Sequence, residues 1–218
     1  ILGALQASPD FAGVQLGGPS TLSADASQTW YDVIKNRIQR ATTHSLGGSF
    51  LSYINFYKQA GADGKILENP EAHNVAEVIS GAEYGLQSAT WWGTAERARG
   101  EFVKATNGER LAYAEDLARW NAAAVYRAPD GKVQAFLGAS ERMGDTSTYR
   151  FVSKDRPVFF NGDGPLNEYT VPIRKDTERV IDITWGADVP PKIGGRYVIV
   201  NRATGKVLGV NGTGIHQM

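Results

Sequence analysis

The chain has 218 residues, 42% of them hydrophobic and 10% aromatic, enough to bury a sizeable core as one large or two modest domains and too much for a disordered chain. Lys+Arg and Asp+Glu each number 23, a balance that sets up no net field for nucleic acid or an anionic membrane and suits neutral partners such as sugars. The absence of cysteine leaves the redox compartment unreadable, and no apolar run approaches the roughly 20 residues that a membrane helix needs.

In chain order, Ile1-Leu2 opens without Met or a basic segment followed by an apolar one, so a targeting signal is either absent or already removed. Residues 11–16 (FAGVQL) read as a buried strand closed by the turn chemistry of Gly17-Gly18-Pro19-Ser20. Asp25 to Arg40 reads as a helix with Trp30, Val33, Ile34 and Ile38 on its apolar face. A short β-prone run, Ala41 to His44, follows, then a Gly47-Gly48 loop and an aromatic-rich helix from Ser49 to Ala60.

The stretch from Gly64 to Gly100 organises this half. A short strand (Lys65 to Leu67) leads into a loop carrying Glu68, Asn69, Pro70, Glu71, His73 and Asn74. The helix after it, Asn74 to Gln87, has Val75, Val78, Ile79, Ala82 and Leu86 at three- and four-residue spacing, with Glu77 and Glu83 off that face. Asn74 is placed to be its N-cap, and Glu77 gives a capping-box-like spacing. A last strand, Ala89 to Trp92, breaks at Gly93. Strand and helix therefore alternate up to Trp92, the pattern of parallel βα units. In parallel α/β barrels the chemistry sits at the C-terminal strand ends, where Glu71, His73 and Trp92 fall. Glu71 also lies near a helix N-terminus, whose dipole favours an ionised carboxylate. Four strands cannot close an eight-stranded barrel, so residues 1–92 are either a small open α/β layer or the second half of a barrel that starts before Ile1; the second reading is preferred.

From Arg110 the texture changes. Residues 113–126 fit helix or strand by period alone. Residues 131–137, 148–152, 157–160, 167–171 and 179–184 are short runs rich in β-branched and aromatic residues, separated by turn formers. They predict an antiparallel β-sandwich. Pro190-Pro191-Lys192 reads as a stiff linker, and residues 195–210 as two strands around a turn from Asn201 to Gly205. A lone hairpin is marginal in water.

The order of Leu16-Gly17-Gly18-Pro19-Ser20 after a strand, a Thr-Thr-His strand end, a Glu-bearing strand end and the Trp91-Trp92 strand resembles strands five to eight of clan A glycoside hydrolases. The nearest types are β-xylosidases, β-glucuronidases and endo-xylanases, which carry a β-sandwich behind the barrel. This resemblance covers roughly residues 8 to 185. Residues 196–210, with Tyr-Val-Ile-Val-Asn and Thr-Gly-Lys-Val-Leu, are similar to the first repeat of ricin-type β-trefoil lectins. The expected fold is therefore α/β plus all-β: half of a (β/α)8 TIM barrel over residues 1–104, a β-sandwich over 105–188, and the start of a β-trefoil carbohydrate-binding domain over 189–218.

The clan resemblance implies retaining hydrolysis of a β-linked polysaccharide or oligosaccharide, with two carboxyl groups about 5–5.5 Å apart. It puts the nucleophile at the end of strand seven, hence Glu71 or Glu68, with Glu71 preferred. The acid/base belongs on strand four, which this chain does not contain, so the expected partners are a carbohydrate substrate and the N-terminal half of the barrel, with no nucleic acid and no membrane. Substrate-contact candidates are His44, His73, Trp92, Asn74 and Glu96. Either histidine reads as a sugar ligand or as an orienter of Glu71; Trp92 reads as a sugar-stacking surface, with Trp91 on the opposite, core-facing side. For Glu96 and Glu101 an ion pair with Arg97 or Arg99 is the plainer reading. The resemblance also implies a secreted, periplasmic or cell-surface location. No metal-ligand or phosphate-loop spacing is visible, so no cofactor is expected. The alternative function is a non-catalytic carbohydrate-binding protein. Geometry separates the two glutamates: an extended run through Pro70 alternates side chains, so Glu68 and Glu71 should face opposite ways, with Glu71 in polar reach of His44, His73 or Trp92.

Overall fold

The structure, a computed structural model, describes residues 1–94 and 96–185 and the backbone of Tyr197–Asn201 and Val207–Val210. The chain forms two compact units. One comprises Ile1–Ala72 and Ser80–Trp92; the other comprises His73–Ile79 and the chain from Gly93 onward.

The first unit is a parallel sheet with helices in its connections. After a short helix α1 (Leu2–Ala7) come β1 (Gly17–Pro19), α2 (Ala24–Ile34), β2 (Arg40–Thr42), α3 (Phe50–Ala62), β3 (Ile66–Ala72), α4 (Val75–Glu83) and β4 (Ser88–Trp91). All three pairings are parallel, and the spatial order β1-β2-β3-β4 repeats the chain order. The helices start where hydroxyls can satisfy free N–H groups: the Ser23 side chain accepts from Asp25 N, and that of Ser49 from Ser52 N. Along α3, Phe50, Tyr53, Ile54, Phe56, Tyr57 and Ala60 are buried. Their rings meet edge to face, Tyr31 on Phe56 at 5.6 Å and Tyr53 on Tyr57 at 4.9 Å, the favoured aromatic geometry. The Tyr57 hydroxyl donates to the carbonyl of Glu68 (2.9 Å), fixing the height of β3 against α3.

Several sequence expectations are corrected here. Residues 11–16 are not a buried strand: Phe11 and Val14 are exposed, and the strand is the Gly17–Pro19 segment expected to be a turn. Small residues suit that strand because α2 comes close; a Cβ on Gly18 would sit 2.9 Å from the Ile34 side chain. Helix α2 buries Ala24, Ser27 and Tyr31, while Trp30 and Val33 point to solvent. Counting apolar residues chose the wrong face because Tyr31 carries the apolar bulk inward. Its hydroxyl stays satisfied by donating to Asp63 (2.9 Å). Helix α4 is buried nearly all round, Glu77 included, and ends at Glu83 instead of Gln87. Gly85 takes a left-handed φ of 91° and lets Leu86 N–H return to the Gly81 carbonyl (2.9 Å), the chain reversal that stops a helix.

From Gly93 the second unit continues with α5 (Arg97–Ala105), for which the sequence reading offers no element; Ala98, Phe102 and Ala105 form its buried stripe. Then come β5 (Glu109–Asp116), β6 (Asn121–Arg127), β7 (Val133–Ala139), β8 (Ser147–Ser153), β9 (Val158–Phe160), β10 (Asp163–Leu166), β11 (Glu168–Ile173) and β12 (Thr177–Thr184). These, with β13 (Tyr197–Asn201) and β14 (Val207–Val210), make two antiparallel sheets, ordered β10-β9-β12-β7-β6-β5 and β11-β8-β13-β14. One shared core holds them face to face, with Leu137, Ile181 and Phe160 from the first sheet and Tyr149, Phe151 and Ile173 from the second. Strand β10 takes in Asp163, Gly164 and Pro165 of the Asn161-Gly162-Asp163-Gly164-Pro165 run that reads from the sequence as turn formers.

The predicted C-terminal hairpin is present as β13 and β14, and β13 pairs with β8. By its backbone pairing the hairpin continues a sandwich sheet instead of standing apart as the first strands of a trefoil. The Pro190-Pro191 linker, residues 202–206 of the turn and the chain after Val210 lie outside the described residues.

Candidate active site at the parallel strand ends

The regular part of β3 ends at Asn69. Pairing with β4 holds at Glu68 and Asn69, then slips before resuming at Ala72. Pro70 sits in that slip and has no N–H to give to a ladder. The Asn69 side chain, fully buried, replaces what the ladder loses: its Oδ1 accepts from Glu71 N (3.0 Å) and its Nδ2 donates to the Tyr53 hydroxyl (2.9 Å). A bulge of this kind re-aims the next side chain.

The two glutamates consequently have different surroundings. Glu68, inside the regular ladder, accepts from Arg40 Nη1 and from the Ser88 hydroxyl (2.9 Å), so its carboxylate is committed to neighbours on β2 and β4. Glu71, past the bulge, has Oε2 3.4 Å from His44 Nε2, with 25% of its side chain exposed against 15% for His44. The other ring nitrogen of His44 lies 3.3 Å from the Thr21 carbonyl. That carbonyl also accepts from His44 N (3.0 Å), and the Thr21 side chain is anchored in a hydroxyl cluster: its Oγ1 lies 2.7 Å from Ser27 Oγ, which lies 2.5 Å from Thr43 Oγ1. The Glu71 carboxylate is thus braced by His44 and still partly exposed at the strand end.

Trp92 follows β4 and is 62% exposed, its N–H bound to the Ala72 carbonyl (2.9 Å), while Trp91 is half-buried.

The remaining candidates belong to the second unit. His73 is buried, with Nδ1 3.2 Å from Glu141 Oε1, and its backbone is fixed at both ends: N–H to Glu77 Oε2 (3.0 Å), carbonyl to Arg99 Nη2 (2.7 Å). Asn74 is also buried and caps α4 by accepting from Ala76 N (3.0 Å), which employs its oxygen structurally. Glu96 is exposed just ahead of α5. The ion pairs imagined for it are made by others, Arg97 with Asp182 (2.7 Å) and Arg99 with Glu178 (2.8 Å). Glu101 pairs with Lys132 (3.0 Å) and Lys104 (3.5 Å).

Sequence reading missed Glu141, Arg40 and the Arg99–Glu178 pair. Glu178 Oε1 accepts from Val75 N (2.6 Å), adding an anion to the N-terminus of α4. Burial pushes its carboxyl up from the ordinary range, and Arg99 pulls the other way. A contact between positions 75 and 178 leaves no periodic trace in a sequence. Among the described residues, no three His, Cys, Asp or Glu side chains are grouped to hold a metal ion.

No protein-family model matches the chain, and no characterised protein matches it by sequence. Among solved structures it is similar to a GH30 endoxylanase from Clostridium papyrosolvens, at 12% identity and a TM-score of 0.46, over 84% of this chain and 60% of that one. The chain thus spans three fifths of that neighbour's length.

Proposed function

We propose that the chain works in glycoside hydrolysis by a retaining mechanism on a β-linked polysaccharide or oligosaccharide, with Glu71 as nucleophile. The observation that carries this reading is the placement of Glu71: past a bulge, at the C-terminal end of a parallel strand, one quarter exposed, with Oε2 3.4 Å from His44. The sheet order, strand after strand with a helix in each connection, is the order in which a (β/α)8 barrel is strung. In the proposed step a Glu71 carboxylate oxygen attacks the anomeric carbon and the aglycone leaves with the bonding pair. Water later cleaves the glycosyl ester, returning the carboxylate. His44 positions the nucleophile, Trp92 offers an aromatic face to a sugar ring, and Glu68 stays the structural partner of Arg40. No residue of this chain is assigned as acid/base.

Dinitrophenyl β-glycosides test the assignment directly, because so good a leaving group departs without a proton and needs no acid residue. Incubation should add one glycosyl unit to the protein, mapped by peptide mass spectrometry to Glu71 and absent in Glu71→Gln. An adduct on Glu68 would move the nucleophile there. Sugar binding with no adduct on either residue would favour the non-catalytic carbohydrate-binding reading, for which the exposed Trp92 is the supporting observation.

A further inference from the structure

A second candidate site lies within the sandwich and owes nothing to Glu71. Asn161, Tyr169, Val171, Glu178, Arg179, Val180 and Ile181 line an open cavity of about 230 Å³, below the roughly 300–1,000 Å³ of pockets that enclose drug-sized ligands. A single ring is the size it suits. Register places four of these residues on the inner faces of both sheets: Arg179 lies opposite Leu137 and Ile181 opposite Ala135, while Tyr169 lies opposite Phe151 and Val171 opposite Tyr149. Leu137, Ala135, Phe151 and Tyr149 all belong to the shared apolar core. Arg179 therefore puts a guanidinium on a face that is otherwise apolar.

Among the described residues that guanidinium makes no ion pair or hydrogen bond. The acidic residues beside it on β12 are committed elsewhere, Glu178 to Arg99 and Asp182 to Arg97 and Gln134. The Tyr169 hydroxyl likewise has no hydrogen bond among the described residues, and its ring is fixed by stacking on Phe160 (4.8 Å, 7°). Asn161 is pinned through its oxygen, which accepts from Asp182 N (2.8 Å), leaving its NH₂ as a donor. The cavity thus offers a guanidinium, a hydroxyl and an amide NH₂ over a floor of Val171 and Ile181. The Glu178 carboxylate in the wall is already taken up by Arg99 and by Val75 N, so the donors left over the apolar floor select an anion on a compact body, and a guanidinium fork matches a carboxylate.

We propose that this cavity binds a carboxylate carried on a single ring, held by Arg179 with its ring against Val171, Ile181 and the Tyr169 side chain. Two sources share that chemistry, a uronic acid unit of an acidic glycan and an aromatic acid. Titration of the whole chain with glucuronate, benzoate and glucose, followed by calorimetry or NMR shifts, separates them. One of the two acids should bind, glucose should not, and Arg179→Gln should weaken the acid about 10- to 100-fold, the loss of one charge-assisted contact. Tyr169→Phe should weaken it less, and Glu71→Gln should leave it unchanged. Arg179 is exposed, so the variant should keep the wild-type unfolding midpoint. The proposal is overturned if neither acid binds, if glucose binds as well as the acids, or if Arg179→Gln binds the acid with undiminished affinity.

Discussion

Strands β3 and β7 are both seven residues long and lie in the middle of their sheets, yet they are opposite kinds of strand. Every residue of β7 is buried. Ala135 and Leu137 face the sandwich core, and Phe136 on the other side packs under Phe102 of α5 at 5.3 Å. Along β3, burial is interrupted and the ladder slips before Ala72. A strand covered on both faces has no side chain left for chemistry. One that leaves its ladder early can spend a carboxylate at its end, and the comparison teaches that the bulge, more than the strand, makes the candidate site.

The sharpest way to break this contrast is Glu71→Gln, which should lower glycosyl-enzyme formation by on the order of 10⁴-fold or more, as loss of a nucleophile does, with the unfolding midpoint unchanged. In the sandwich the effect should be on stability alone: Phe151→Ala should cost about 3–5 kcal/mol in denaturant unfolding, since it empties a fully buried ring position. Arg99→Ala should cost about 3 kcal/mol by leaving Glu178 buried without its cation. Asn69→Ala should cost about 1–3 kcal/mol, since it removes the side-chain acceptor of Glu71 N–H and the amide that donates to the Tyr53 hydroxyl. It should also slow trapping at Glu71, a double readout that a purely structural residue would not give. The smallest change is expected from Trp92→Ala: stability within about 0.5 kcal/mol for an exposed side chain, with weaker sugar affinity by titration.

Elements with their own local signature were legible in the sequence. Asn74 and Glu77 announced the start of α4, and the strand and turn runs after Gly131 announced a sandwich. Where a local signature was missing, reading failed. The β5–β6 hairpin turns through Leu117–Arg119 and Trp120, with no Gly or Pro; Trp120 itself takes the left-handed conformation (φ 48°). Ala-rich strands on either side, chosen for close packing in the core, read equally well as helix. At the candidate site Glu71 could be singled out, but its separation from Glu68 rested on strict alternation. In the structure a bulge held by Asn69 does that work. Arg40 and Glu178 act across β-strands and across a hundred residues, where periodicity carries no information.

Gly138 has a consequence of another kind. A Cβ there would lie 2.2 Å from Asn74 Oδ1 and 2.7 Å from the Val75 side chain, so the start of α4 is seated directly against β7. Asn74 also reaches the Thr177 carbonyl (3.4 Å), and Val75 reaches Glu178. Residues 73–79 are thus a tenon cut to fit the sandwich, inserted in the chain between the strand that carries Glu71 and the rest of its own unit. Such a chain cannot be shuffled as two cassettes: a sandwich from another gene spliced in after α5 would inherit a tenon without its mortise, and any swap has to carry residues 73–79 along with it.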